Sequence, residues 1–121
     1  MEVQIFGVQK NADTRKAMRF FSERRVRTHF VDLKERPMSA GELERFVQRF
    51  GLDALIDRES KRYDELGYRH SQVSAGRWVD RLIEEPLVLR LPLVRRLGQP
   101  PDLTVGSAED TWKSWVKSAT P

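Results

Sequence analysis

The sequence contains no cysteine, which excludes a disulfide, a thiolate metal site and a thiol nucleophile made by this chain. Histidine is nearly as scarce: His29 and His70 are the only two, and neither stands in a cluster with metal-ligand spacing, so no metal site is expected. A Ser-His-Asp assembly has no nucleophile elbow to support it. Long apolar runs are missing too. With 39% hydrophobic and 33% charged residues, every strongly apolar stretch is broken within a few positions by Arg, Asp, Glu or Pro, and no membrane span is expected. The opening Met1-Glu2-Val3-Gln4-Ile5-Phe6 carries neither a basic leader nor a hydrophobic signal core, so an unprocessed cytoplasmic chain is expected.

What is present fits one soluble α/β domain. A chain of 121 residues suits a single hydrophobic core. Twenty-two Lys and Arg against eighteen Asp and Glu leave a net charge of +4, which favours anionic encounters. Nothing specifies nucleic acid: basic residues do not alternate with aromatics, and no zinc or helix-turn-helix signature for DNA is present.

Hydrophobic periodicity lays out the elements. Val3, Ile5 and Val8, with Phe6 and Gly7, read as a short strand with a glycine-assisted exit. From Asp13 to Glu23 the pattern turns helical, with Ala17, Met18, Phe20 and Phe21 on one face and Asn11 or Asp13 as the cap. Thr28-His29-Phe30-Val31 is a second strand, and Asp32 to Pro37 a connector. Ser39 and Glu42 make a capping box for a helix carrying Leu43, Phe46, Val47 and Phe50, stopped at Gly51. Leu52 to Gly67 reads as short helical pieces, and Ser71 to Glu85 as a longer helix ended by Pro86. The run Leu87 to Val94 reads as two strand pieces bent near Pro92, or as a strand followed by another after Arg95-Arg96. Leu103 to Gly106 is a last small strand, and Ser107 with Asp110 opens a terminal helix that Trp112, Trp115 and Val116 anchor. The order is βαβ, a helical middle, then ββα. This is an α/β sandwich with a small mixed sheet and flanking helices, one domain over residues 1–121, with roughly residues 52–85 as a helical insertion or subdomain.

The stretch Gly7-Val8-Gln9-Lys10-Asn11-Ala12-Asp13-Thr14 leaves the first strand and enters the first helix. It resembles the arsenate reductase and Spx family of thioredoxin-like proteins, in which this stretch reads Gly-x-x-x-Asn-Cys-Asp-Thr. Further matching features are Asp32 with Pro37, Glu42-Leu43, Arg58 to Tyr63 with Leu66-Gly67, Pro86 with Pro92, and Val105-Gly106. The resemblance spans essentially the whole chain and implies a thioredoxin-like fold. It also implies that the redox cysteine position is occupied by Ala12, whose methyl group cannot ionise or form a mixed disulfide.

The resemblance places Arg58 at the first of the family's anion-binding arginines. Two others are missing. Leu91 holds the arginine position before Pro92 in Arg90-Leu91-Pro92, and no arginine lies around Val105-Gly106-Ser107. Pro92 resembles the cis-proline of the thioredoxin-type site. Catalytic residues are therefore expected to be absent, and arsenate reduction with them.

A candidate cleft for an anion or a partner comprises Lys10, Asn11, Ala12, Asp13, Thr14, Arg58, Arg90 and Pro92. For the helix-one residues, simple capping by Asn11 or Asp13 competes with anion binding, because Asp13 repels a nearby anion. Three functions follow. The first is a noncatalytic interaction or regulatory protein, with the RNA polymerase α C-terminal domain as partner by analogy with Spx. The second is a reductase relying on external glutathione, the only cofactor-like molecule in view. The third is a module that binds a small oxyanion.

Overall fold

A computed structural model describes residues 1–119. The chain divides into two compact units, Met1–Asp32 together with Leu91–Pro121, and Leu33–Arg90.

The first unit contains strand β1 (Glu2–Gly7), helix α1 (Ala12–Glu23), strand β2 (Arg27–Asp32), strands β3 (Leu93–Leu97) and β4 (Asp102–Val105), and helix α6 (Glu109–Ala119). Its four strands lie in the order β2-β1-β3-β4. β1 pairs in parallel with β2, from Glu2 opposite Arg27 to Gly7 opposite Asp32. It pairs antiparallel with β3, which in turn pairs antiparallel with β4. The parallel pair follows from the intervening helix, since a tight turn can join only antiparallel neighbours.

Because side chains alternate along a strand, Val3 and Ile5 of β1 and Val94 of β3 share one face. On that face they pack with Ala17, Phe20 and Phe21 of α1 and with Trp112 and Trp115 of α6. The indole of Trp112 is fully buried, and its Nε1 donates to Thr104 Oγ1 at 2.8 Å. Trp115 Nε1 donates to Asp102 Oδ2 at 2.9 Å. The two tryptophans anchor the last helix as their spacing indicates. This mixed sheet with its covering helices is a thioredoxin-like α/β arrangement.

The second unit follows β2 in the chain and is helical: α2 (Ala40–Phe50), α3 (Leu52–Leu55), α4 (Lys61–Glu65) and α5 (Ala75–Glu84), with single 3-10 turns at Tyr68–His70 and Pro86–Val88. The capping box at the head of α2 is complete, with Ser39 and Glu42 each bonding the other's backbone N–H. Helix α2 packs against α3 and α5.

Two boundaries differ from the periodicity. The helix expected from Ser71 starts at Ala75, because Ser71 belongs to the preceding turn: its Oγ donates to Gly67 O and its N–H to Tyr68 O. The segment before Pro92 is no strand. Val88 and Leu89 donate back to Glu85 and Pro86 in a turn, leaving only an isolated bridge between Leu89 and Ile56. Neither arrangement expected for this run is found: a single strand, β3, begins after Pro92 and runs through Arg95 and Arg96.

Candidate functional site

The head of α1 is built by the exit from β1. Asn11 N–H closes a turn onto Val8 O at 3.1 Å, and Asn11, in extended conformation, caps the helix. Its Oδ1 accepts from Thr14 N–H at 2.7 Å and from Thr14 Oγ1 at 2.9 Å. Asn11 is therefore the cap, and Asp13 is an exposed first-turn residue. Ala12 is the first residue of the helix and exposed. Arg15 locks the approach from outside, one Nη donating to Gln9 O at 2.8 Å and to Lys10 O at 2.9 Å. The Lys10 side chain points to solvent without a partner among the described residues.

Elsewhere in the same unit the Leu91–Pro92 bond is cis. Pro92 is buried, and its carbonyl accepts from Gly106 N–H at 2.8 Å. Gly106 has φ +68°, a conformation in which a residue with a Cβ is disfavoured.

The two arginines of the candidate set lie in the second unit, and both turn to α3. Arg58 donates through Nη2 to Asp53 Oδ1 at 3.0 Å and through Nη1 to Tyr63 Oη at 3.2 Å. The hydrogen bond it donates to Asp53 makes the Arg58 guanidinium hold its proton more tightly than an ordinary arginine. Arg90 bonds backbone instead: Nε donates to Ala54 O at 3.1 Å and Nη2 to Ile56 O at 3.3 Å. Its guanidinium thus fastens the end of α3 to the segment that carries Arg90.

Periodicity did not single out the aromatic row beside Arg58. Tyr63, Tyr68 and Trp78 meet edge to face, with centroids 5.8 and 5.3 Å apart, and help line a cavity of about 570 Å³ with Arg58 and Val73. Tyr63 and Trp78 each fit a helical pattern of their own, but the separations of the three fit no single helix, so no periodic signal joins them with Tyr68 in one row. Nor does the sequence mark Arg15 as a lock on the turn, since nothing in it tells a carbonyl-bound arginine from a solvated one. Among the described residues no group of three or more His, Asp or Glu is placed to hold a metal. No helix among them is long and apolar enough to cross a membrane.

The model of the ArsC family matches residues 6–115, nearly the whole chain. The chain belongs to the ArsC family. Solved structures agree in fold. One is the YffB (PA3664) protein, at 18% identity and a TM-score of 0.80, covering 93% of this chain and 96% of that one. Another is an arsenate reductase from Vibrio cholerae, at 22% identity and a TM-score of 0.75, covering 94% and 97%. A third is an ArsC-related protein from Brucella melitensis, at 21% identity and a TM-score of 0.65, covering 97% and 96%. No curated protein matches the sequence.

Family membership gives Ala12 its meaning. A cysteine at the head of α1 would be drawn toward the thiolate by the helix's free N–H groups and positive end. This ArsC-family chain has no cysteine there or anywhere else. ArsC-type reduction needs that nucleophile, so the chain keeps the frame of the chemistry without its reactive atom.

Proposed function

We propose that this ArsC-family protein is a noncatalytic interaction or regulatory protein that acts by binding another macromolecule. The observation that carries the reading is the head of α1. The position that would hold sulfur is an exposed methyl group, and the Asn11 carboxamide occupies the Thr14 N–H that an anion would need. A site whose Thr14 donors are taken by Asn11 and whose nucleophile is gone favours scaffold over turnover. The Spx side of the resemblance supplies the first partner to try, the RNA polymerase α C-terminal domain, in a cytoplasmic setting.

The test is titration of the purified chain with purified α C-terminal domain, followed by calorimetry. Saturable binding is expected, and its absence removes that partner. The same preparation decides the other two readings. Arsenate or disulfide turnover with glutathione above the protein-free rate, abolished in Arg58→Ala, would establish the external-thiol reductase. Shifts of the Ala12 and Asp13 amides on adding phosphate, sulfate or arsenate would establish the oxyanion module, with Lys10, Thr14 and Pro92 as the other candidate residues of that unit.

A further inference from the structure

We infer that the exposed side and C-terminal end of α1, which carry Arg15, Arg19, Arg24 and Arg25, are a cationic docking surface for an acidic segment of a partner protein. The inference rests on the interaction reading above and adds where and by what chemistry the partner binds.

The first observation is how charge divides between the two units. The unit formed by Met1–Asp32 and Leu91–Pro121 has eleven Lys and Arg against seven Asp and Glu, whereas Leu33–Arg90 has eleven of each. The whole net charge of +4 therefore belongs to the thioredoxin-like unit. Pairing differs as well. In the helical unit Arg36, Arg58, Arg62, Arg69 and Arg81 each stand on a carboxylate.

Along α1, Lys16 alone has an ion-pair partner among the described residues, Glu109, at 3.4 Å. Arg15 and Arg24 are held by neutral groups. Arg15 clamps the carbonyls of Gln9 and Lys10. Arg24 donates to Phe20 O at 3.0 Å and lies over the Phe20 ring at 3.7 Å. Arg19 and Arg25 have no side-chain partner among the described residues, and all four arginines are exposed.

These contacts fix the guanidinium groups without neutralising them. A carbonyl or ring restricts the side chain while leaving other N–H donors of the planar fork free. Less conformational freedom is then lost when a carboxylate arrives. Arg15 and Arg19 are one helical turn apart on the same side of α1, whereas Arg24 is about 14 Å from Arg15 along the axis and half a turn round it, so a segment with several carboxylates meets them all by crossing the C-terminal end of the helix.

The second observation is backbone conformation. Arg25 has φ +56°, the one non-glycine residue with positive φ among those described. It follows the last turn of α1, where glycine is the usual occupant of this left-handed position. An arginine is held there against its backbone preference.

An acidic protein segment fits better than a nucleic-acid strand. Phe20 and Phe21 are buried, so this surface offers no ring for base stacking. Asp13 and Glu23 interrupt the positive run and would repel a continuous phosphate backbone, while a segment with discrete carboxylates can avoid them.

The experiment measures fluorescence anisotropy of a labelled Glu-rich helical peptide, its Gln-substituted counterpart and an oligonucleotide of equal charge, each titrated with the full chain. Saturable, salt-sensitive binding of the Glu peptide alone is expected. Arg15→Glu with Arg19→Glu should weaken it about tenfold or more. Arg45→Glu with Arg77→Glu, in the helical unit, should leave it within about twofold, because those residues lie off this surface. Arg25→Gly separates binding from folding: its thermal midpoint should stay level or rise, since glycine suits the left-handed position, while peptide affinity falls several-fold.

No saturable peptide binding, equal losses from both double variants, or tighter binding of the oligonucleotide would each overturn the inference. The fate of the broader reading is legible separately. If the polymerase domain binds the wild type and the Arg15/Arg19 variant equally, the docking surface is wrong and the interaction reading stands. Peptide binding without polymerase binding removes that named partner and leaves the docking surface in place.

Discussion

Gly7 and Thr14 face each other across the turn from β1 into α1, so closely that a Cβ built on Gly7 would stand 2.5 Å from Thr14 Oγ1 and 2.6 Å from its Cγ2. Thr14 is buried, β-branched and hydrogen-bonded to the cap, so it has little freedom to retreat. Gly7→Ala should destabilise the fold by about 1–3 kcal/mol, the usual range for overpacking. Urea denaturation checks it, and an unchanged midpoint would mean that the turn can relax.

Asn11 has two dependants, the backbone N–H and the hydroxyl of Thr14. Asn11→Ala should cost about 1–2 kcal/mol, the upper range for a lost cap, because a buried hydroxyl loses its acceptor together with the helix end. Asn11→Asp, which keeps the accepting oxygen, should recover most of the loss in the same denaturation series.

The buried bond from Trp112 to Thr104 ties the last helix to an edge strand. Replacing Thr104 by Val keeps the shape but leaves the indole N–H without an acceptor, which should cost about 1–3 kcal/mol. Deleting the chain from Trp112 onward should abolish the cooperative thermal transition altogether. A surviving transition would show that the core closes without its largest side chain.

The capping box of α2 makes stability depend on pH. Burial pushes the Glu42 carboxyl up, but the Ser39 N–H at 3.0 Å and the Arg36 guanidinium at 3.4 Å outweigh it, leaving Glu42 below its ordinary 4.5. A carboxyl lowered by folding stabilises above its unfolded value and loses that contribution as pH falls through its folded value. Wild type should exceed Glu42→Gln by a few tenths of a kcal/mol at pH 7, with the gap closing toward pH 3. A gap constant with pH would sever the effect from Glu42 ionisation.

Ala12→Cys would introduce a single thiol into a chain that has none. The exposed position at the head of α1 should bring its pKa below the value of about 8.5 for a free cysteine. The pH profile of iodoacetamide alkylation measures this directly. An ordinary midpoint would show that the Asn11 cap has spent the electrostatic advantage of the helix end.

Much of this architecture is legible in the sequence because its signals are local. The Ser39–Glu42 box, the apolar face of α1 and the tryptophan spacing of α6 each act within one or two turns. What escapes is set by partners distant in sequence or by competing short-range bonds. Leu87-Val88-Leu89 has strand-like composition, yet the Val88 and Leu89 N–H groups are claimed by Glu85 and Pro86. Ser71 resembles a helix start, yet its hydroxyl is tied back to Gly67. At the candidate site, the identity of Ala12 is read at once. That Arg90 would bond the carbonyls of Ala54 and Ile56, more than thirty positions away, is not written in any local pattern.

The thioredoxin-like unit is assembled from two stretches of chain with Leu33–Arg90 between them. During synthesis β1, α1 and β2 emerge well before the strand that pairs with the other side of β1 and the tryptophans that cover Phe20 and Phe21. The early half must therefore wait on the ribosome with apolar side chains unsheltered. In that interval a chaperone, or a neighbouring nascent chain, has its best opportunity to intervene.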